Sequence, residues 1–321
     1  MPEEKYKTRM TDYSQKVREL FEGQFREWKL ASDNYQQLDA VRVRTVSFPG
    51  YSISVQFNPG RITSSAAKVD AKSIETRPCF LCEKNRPAEQ RGIKVEGDYI
   101  ILINPFPIFR RHLTIVSGSH TPQRIAGNFG TMLSLARSLP EYVIFYNGPQ
   151  CGASAPDHLH FQAGNRGFLP IEKDVTNSNL CRKEAQTGET ELLLWNGYGR
   201  GIMTLRGSDS GALESAFTRF LERFGLAQAD RPEPMVNILA SHDKGLWTVH
   251  VIPRRVHRPS CYFAEGDARI LLSPASVDLG GVFITPRGED FTKITADDIM
   301  TILDEVCLGE DELKNLTHKI L

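Results

Sequence analysis

An α+β fold is predicted, with two successive halves that are each an antiparallel sheet with helices. Three observations predict it. Runs of alternating apolar and polar residues come in pairs parted by turns bearing Gly or Pro, as antiparallel hairpins do. Between them lie segments whose apolar residues recur at three- and four-residue steps, as in amphipathic helices. The order of the runs also repeats loosely. Ile101-Leu102-Ile103-Asn104, His112-Leu113-Thr114-Ile115-Val116 and His120 are followed later by Val236-Asn237-Ile238-Leu239, Thr248-Val249-His250-Val251-Ile252-Pro253 and His257. The chain of 321 residues has ample length for two cores. The halves are placed at residues 1–175 and 190–321, with the polar stretch 172–191 read as a linker.

A helix is expected over residues 10–38, where Val17, Leu20, Phe21, Phe25 and Trp28 recur among charges. Residues 41–46 and 51–55 alternate as half-buried strands around a Pro49-Gly50 turn, and Asn58-Pro59-Gly60 ends the pair. Residues 64–74 are small and polar, as in a loop. Strands are expected at 99–104, where Pro105 stops the run, and at 112–116. A helix follows over 121–139, ended by Pro140, then strands at 141–146 and 159–163. In the second half strands are expected at 192–195 and 202–205, then a helix at 210–224 capped by Ser208 or Asp209. Strands at 235–239, 247–252 and 282–285 and helices at 294–306 and 311–320 complete it.

Lys and Arg together equal Asp and Glu, 39 each, which argues against a broad polyanion-binding surface. No nucleic-acid partner is therefore expected. No apolar run is long enough to span a bilayer, and residues 1–5 carry no apolar signal region, so a cytoplasmic protein without a membrane partner is expected. Six cysteines are too few and too irregular for a disulfide framework.

The chemistry concentrates in Tyr146-Asn147-Gly148-Pro149-Gln150-Cys151-Gly152-Ala153-Ser154-Ala155-Pro156-Asp157-His158-Leu159-His160-Phe161-Gln162. A strand sends residues i, i+2 and i+4 to one face, so His158, His160 and Gln162 are expected side by side behind a small-residue loop. A bare His-x-His is explained better by histidines satisfied at a surface. The full string fits a site that holds and attacks a phosphate. A neutral imidazole can attack phosphorus and form a phosphoramidate, and His160, flanked on both sides, is the candidate. Gln162 can donate an amide N–H to a phosphate oxygen. Gly152, Ala153 and Ser154 can offer backbone N–H groups and a hydroxyl as a small anion nest.

These residues resemble the signature of the histidine-triad superfamily, and more narrowly its transferase branch. That branch holds galactose-1-phosphate uridylyltransferase, diadenosine tetraphosphate phosphorylase and the GDP-hexose phosphorylases. The hydrolases of the superfamily typically carry a third His where Gln162 stands. The resemblance extends through Asn104-Pro105-Phe106-Pro107, residues 112–116 and Pro122-Gln123-Arg124-Ile125, and thinly to residues 282–291. It implies a phosphorylase-type nucleotidyltransferase that works through a nucleotidyl-histidine at His160. The substrate would be a nucleotide sugar or dinucleoside polyphosphate, with phosphate or sugar phosphate as acceptor. Asn104 and Asn147 join Gly152, Ala153 and Ser154 as nucleotide- or phosphate-binding residues. A hydrolase and a non-catalytic nucleotide sensor on the same scaffold are the alternatives. A monomer or homodimer is expected. The chain departs from the family in one place: His158 lies six residues after Gly152 instead of five, with Asp157 the apparent extra.

Cys79-Phe80-Leu81-Cys82 has the spacing of a zinc knuckle, although a pair of buried thiols or a redox pair would share it. His120 and His158 are the natural completing pair, and the resemblance to uridylyltransferases implies a structural zinc on Cys79, Cys82, His120 and His158. Arg110-Arg111, Asn85-Arg86 and the cluster Arg254-Arg255 with His257-Arg258 are open to either a phosphate-binding or a solvated-surface reading. His250 reads as a satisfied strand residue.

Overall fold

The computed structural model describes residues 2–62, 71–95, 97–318 and 320–321. The first helix, Pro2–Glu27, gives way at Trp28, whose backbone is extended, to a second, Lys29–Gln36. Val17, Phe21 and Trp28 are buried, as their spacing predicts. Then β1 (Arg42–Phe48) and β2 (Tyr51–Phe57) form the expected hairpin, with Gly50 at a φ of 85° in its turn. Residues 64–70 of the expected loop lie outside the described residues, and Ala71–Thr76 is a short helix.

The first half continues with β3 (Gly92–Val95), β4 (Tyr99–Ile103), β5 (His112–Ser117), the helix Phe129–Ser138, β6 (Tyr142–Asn147) and β7 (His160–Asn165). The second supplies β8 (Cys181–Thr187), β9 (Thr190–Trp195), β10 (Met203–Gly207), the helix Ser210–Ala227, β11 (Val236–Asp243), β12 (Leu246–Pro253) and β13 (Val282–Thr285). The α+β expectation holds. Strands of both halves join in one 10-stranded sheet, in the order β3-β4-β5-β7-β6-β11-β12-β10-β9-β8. Every pairing in it is antiparallel. A separate 3-stranded sheet, β1-β2-β13, ties the first hairpin to the second half through a parallel β2–β13 pair.

Three local expectations change. The stretch 172–191 is not a linker, because it holds the end of the helix Pro170–Asp174, the edge strand β8 and the start of β9. The residues of β8 are polar because an edge strand meets solvent and charge blunts its free side. The loose repeat is real in topology but not in the register first read. β3-β4-β5-helix-β6-β7 answers β8-β9-β10-helix-β11-β12, so β4 corresponds to β9 and not to β11. An alternating apolar pattern is common to all half-buried strands and cannot tell them apart. The helix expected from residue 121 begins only at Phe129. Residues before it run irregularly across the strand ends into a turn at 126–128, with Leu159 N–H donating to Thr121 O and Gln123 N–H to Pro156 O.

The sheet parts two cores. The helices Phe129–Ser138 and Ser210–Ala227 cover one face, where Phe129 stacks on Phe217 with centroids 4.0 Å apart. The small sheet and the helix Ala296–Val306 cover the other, while the last helix, Glu310–Thr317, packs beside Ser210–Ala227 on the first face. Strand alternation sorts side chains between the faces. Phe161 and Ala163 of β7 enter the helix-side core, and so do Ile144 and Tyr146 of β6. His160, Gln162, Phe145 and Asn147 turn the other way and line a cavity. Among the described residues no helix is long and apolar enough to cross a membrane.

Candidate active site

The cavity measures about 730 Å³ and draws on both halves: His160, Gln162 and Asn147 from the first, His257, Arg258 and Ala275 from the second. His160, the first residue of β7, is buried. Its Nδ1 lies 2.8 Å from the backbone oxygen of His158. A carbonyl only accepts, so Nδ1 carries the proton and Nε2 keeps a lone pair. Burial lowers the imidazole pKa to about 4, so the ring is neutral near pH 7.

Gln123 accounts for the space around this ring. Its Oε1 accepts from His160 N–H at 2.8 Å, and its Nε2 donates to His160 O at 3.0 Å and Asn147 O at 2.9 Å. The side-chain amide stands in for a strand between the end of β6 and the start of β7. It holds them apart where direct pairing stops at Phe145 and Gln162.

Gln162 is oriented by His112. Ile108 N–H donates to His112 Nδ1 at 3.2 Å, so His112 Nε2 bears the proton and donates to Gln162 Oε1 at 3.0 Å. Burial and the nearby Arg61 charge lower the His112 pKa to about 3, keeping it neutral. With Oε1 engaged, the Nε2 amide protons of Gln162 are left for the cavity. Asn147 is fixed likewise. Its Oδ1 accepts from Asn237 Nδ2 at 2.8 Å and Ser276 N–H at 2.9 Å, with the Ser276 hydroxyl 2.7 Å away. A reversed amide would set its NH₂ against those donors.

Gly152, Ala153 and Ser154 line the cavity as expected, and Gly152 takes a φ of 95°. Asn104 also lines it, but its Oδ1 accepts Phe106 N–H at 2.9 Å and its Nδ2 lies 3.2 Å from Thr114 Oγ1. Its amide braces the Asn104-Pro105 turn. His158 departs from the face of His160 and Gln162. It precedes β7, and its ring meets the cysteines, so the expected side-by-side row holds for His160 and Gln162 alone. Asp157, the extra loop residue, pairs with Arg77 at 2.7 Å. Arg110 and Arg111 pair with Asp39 and Glu141 on the surface. Asn85 donates to Cys79 O within the knuckle. Arg254 is fully buried, whereas Arg255 is a surface partner of Glu312. His250 is the satisfied strand residue expected, its Nδ1 2.8 Å from Thr204 Oγ1.

Sequence reasoning missed His112, Asn237, Ser276 and the positioning work of Gln123. A buried His opening an apolar strand, and Asn within another, were the signals available.

The ligand atoms of Cys79, Cys82, His120 and His158 all lie within 4.8 Å of one another. Cys82 Sγ is 3.1 Å from His120 Nδ1, and Cys79 Sγ is 3.4 Å from His158 Nδ1. A tetrahedral zinc with thiolate and imidazole ligands sets its donor atoms about 3.3–3.8 Å apart, and the cluster lies close to that arrangement. His158 Nε2 lies 2.8 Å from Ser117 O, which leaves Nδ1 unprotonated for a metal. Burial pushes the Cys79 thiol up, but its contact with His158 and hydrogen bonds from the Leu81 and Cys82 backbone carry it below its ordinary value. These four residues could hold a metal ion.

Residues 20–165 match the family model described as a domain of unknown function, DUF4922, and residues 226–321 match the one described as GDPGP1-like, C-terminal domain. Comparison with curated proteins finds no match. The fold is similar to that of yeast Ap4A phosphorylase Apa2, at 17% identity over 88% of this chain and 97% of that one, with a TM-score of 0.60. The same yeast enzyme in complex with Ap4A matches at 18% identity over 88% and 97%, TM-score 0.59. In complex with AMP it matches at 18% over 88% and 96%, TM-score 0.59. Likeness at this identity is one of fold. The C-terminal domain match and the shared two-half architecture agree with the histidine-triad resemblance.

Proposed function

We propose that the chain is a phosphorylase-type nucleotidyltransferase acting through a covalent nucleotidyl-His160. The observation that carries this is the 2.8 Å contact between His160 Nδ1 and the His158 carbonyl, which leaves an Nε2 lone pair beside a cavity lined by Gln162 and Asn147. In the first step Nε2 attacks the α-phosphorus of a nucleoside-diphosphate sugar or dinucleoside polyphosphate. The N–P bond forms as the bridging P–O bond breaks, and a sugar phosphate or nucleotide leaves. In the second, an oxygen of inorganic phosphate or a sugar phosphate attacks the same phosphorus and expels neutral His160. Gln162, Asn147 and the loop Gly152-Ala153-Ser154 donate to the phosphoryl oxygens where charge builds. Asn104 Nδ2, 3.5 Å from Gln162 Oε1, helps to hold that side chain. Two inversions retain configuration at phosphorus. The fold likeness to an enzyme solved with Ap4A and AMP supports a nucleotide in the cavity.

A zinc ion on Cys79, Cys82, His120 and His158 would be structural, holding the His158 backbone whose carbonyl aims His160. Residues 1–175 would carry the chemistry and 190–321 would complete the cavity, in a cytoplasmic monomer or homodimer.

Incubation with radiolabelled GDP-, UDP- and ADP-sugars and dinucleoside polyphosphates, followed by a denaturing gel, tests the reading. An acid-labile labelled band is expected, and it identifies the base. His160→Ala abolishes it. Product release that needs phosphate marks transfer, and release in its absence marks hydrolysis. A protein that binds nucleotide but never becomes labelled is not the enzyme proposed.

A further inference from the structure

The second half lacks a His-x-His-x-Gln, yet it reaches the site through one register position. Where β6 and β11 pair across the junction of the halves, Asn237 stands opposite Asn147. Asn237 is fully buried. Its Nδ2 donates to Asn147 Oδ1 at 2.8 Å and to Cys151 O at 2.9 Å, and its Oδ1 accepts from Arg254 Nη1 at 2.7 Å. Arg254 is also fully buried. Its remaining hydrogen bonds go to the backbone oxygens of Val306, Pro274, Val256 and His257. None of these partners is a carboxylate. A guanidinium held only by neutral oxygens keeps its charge unneutralised in a low-dielectric interior, which is costly and makes its field felt nearby.

We propose that Arg254 and Asn237 form a positive relay that orients and polarises the Asn147 amide, so that the second half supplies the cavity with an anion-binding donor. The chain runs in one direction: Arg254 N–H to Asn237 oxygen, Asn237 N–H to Asn147 oxygen, Asn147 N–H to the ligand. Successive bonds of this kind polarise one another. The ligand class is a phosphoryl anion, and that part of the inference rests on the nucleotide reading above. Arg254 and Asn237 act through Asn147 and are positioning residues.

Asn237→Asp is the decisive variant. One carboxylate oxygen keeps the Arg254 bond and neutralises its charge, while the other replaces a donor with an acceptor against Asn147 Oδ1. That carboxylate then repels Asn147 Oδ1, which Ser276 still holds, and displaces the Asn147 amide from its place at the cavity. Asn237→Ala removes the bridge without adding charge and serves if the first variant folds poorly. AMP and GDP binding is measured by calorimetry, with melting temperature as the control for folding. The tighter of the two nucleotides is expected to bind about 10- to 100-fold more weakly to Asn237→Asp and less severely so to Asn237→Ala. In an Asn147→Ala background neither change costs anything further. Unchanged affinity in both variants overturns the relay, as do losses that multiply in the double variants. Either result leaves a labelled His160 untouched, whereas absent labelling with these affinities refutes only the transfer chemistry.

Discussion

Gln162→Glu changes one cavity-facing group and spares its support. The retained Oε1 still accepts from His112 Nε2, now 3.0 Å away, so the bond that orients the side chain survives. What changes is the NH₂, which becomes a carboxylate oxygen facing the phosphoryl group. Removal of one donor to a developing oxyanion costs about 10²–10³ in rate, or ~2.7–4 kcal/mol. A negative charge about 4 Å from a phosphoryl oxygen adds up to ~4 kcal/mol at an effective dielectric near 20. Together the loss is at least about 10³-fold, borne by the labelling step. The assay is quench-flow labelling of His160 with the nucleotide identified above, together with a melting curve. Labelling within about threefold of wild type would show that Gln162 donates nothing to the transition state. A collapsed melting curve would show that His112 and Gln162 hold the fold instead of the ligand. The deficit should also shrink at pH values where the new carboxyl is protonated, since it then has a proton to donate.

Gly152→Ala should strain the loop, because Gly152 has a φ of 95° and a Cβ there would lie 2.7 Å from Ala275 Cβ. A stability loss of ~1–2 kcal/mol by urea unfolding is expected with a larger fall in turnover, and unchanged values for both would contradict it. Chelation, or Cys82→Ser, should lower the melting temperature by more than about 5 °C, and elemental analysis should find zinc in the untreated protein. A metal-free protein with the same melting temperature would remove the site. His112 and His250 are held neutral by burial, each with its pKa lowered to about 3 from 6.5. Below pH 6.5 the unfolded chain binds protons that the native state refuses, so stability falls as pH drops from about 6.5 toward 3, by about 1.4 kcal/mol per pH unit for each histidine. His250→Gln should reduce that slope by one such share in urea titrations between pH 6 and 4, and an identical slope would refute the assignment.

Alternation along a strand and the three-to-four step of a helix are local properties of the backbone, so they could be read directly. That is why the β1–β2 hairpin, the helix Ser210–Ala227 with its Asp209 cap, and the shared face of His160 and Gln162 were all legible. The knuckle was legible too, since Cys79 and Cys82 are close in the chain and both histidines had been placed. The polar edge strand β8 was not, because one pairing partner and a wet face leave little apolar signal. The irregular run before Phe129 was hidden because it is tied down by Gln123, whose partners His160 and Asn147 lie far along the chain.

The types of group that can do the chemistry were thus written in the chain: a nucleophilic imidazole, an amide on the same face, a small-residue loop and a pair of thiols. Their working state was decided only by tertiary packing. Which nitrogen of His160 bears the proton depends on its ring lying against the His158 carbonyl. Which end of Gln162 meets the cavity depends on His112, and which end of Asn147 does so depends on the β6–β11 register that brings Asn237 and Arg254 behind it. A hydrogen bond is a matter of a few tenths of an ångström between groups that may be a hundred residues apart. No local pattern encodes such a distance, and it exists only once the strands have found their order.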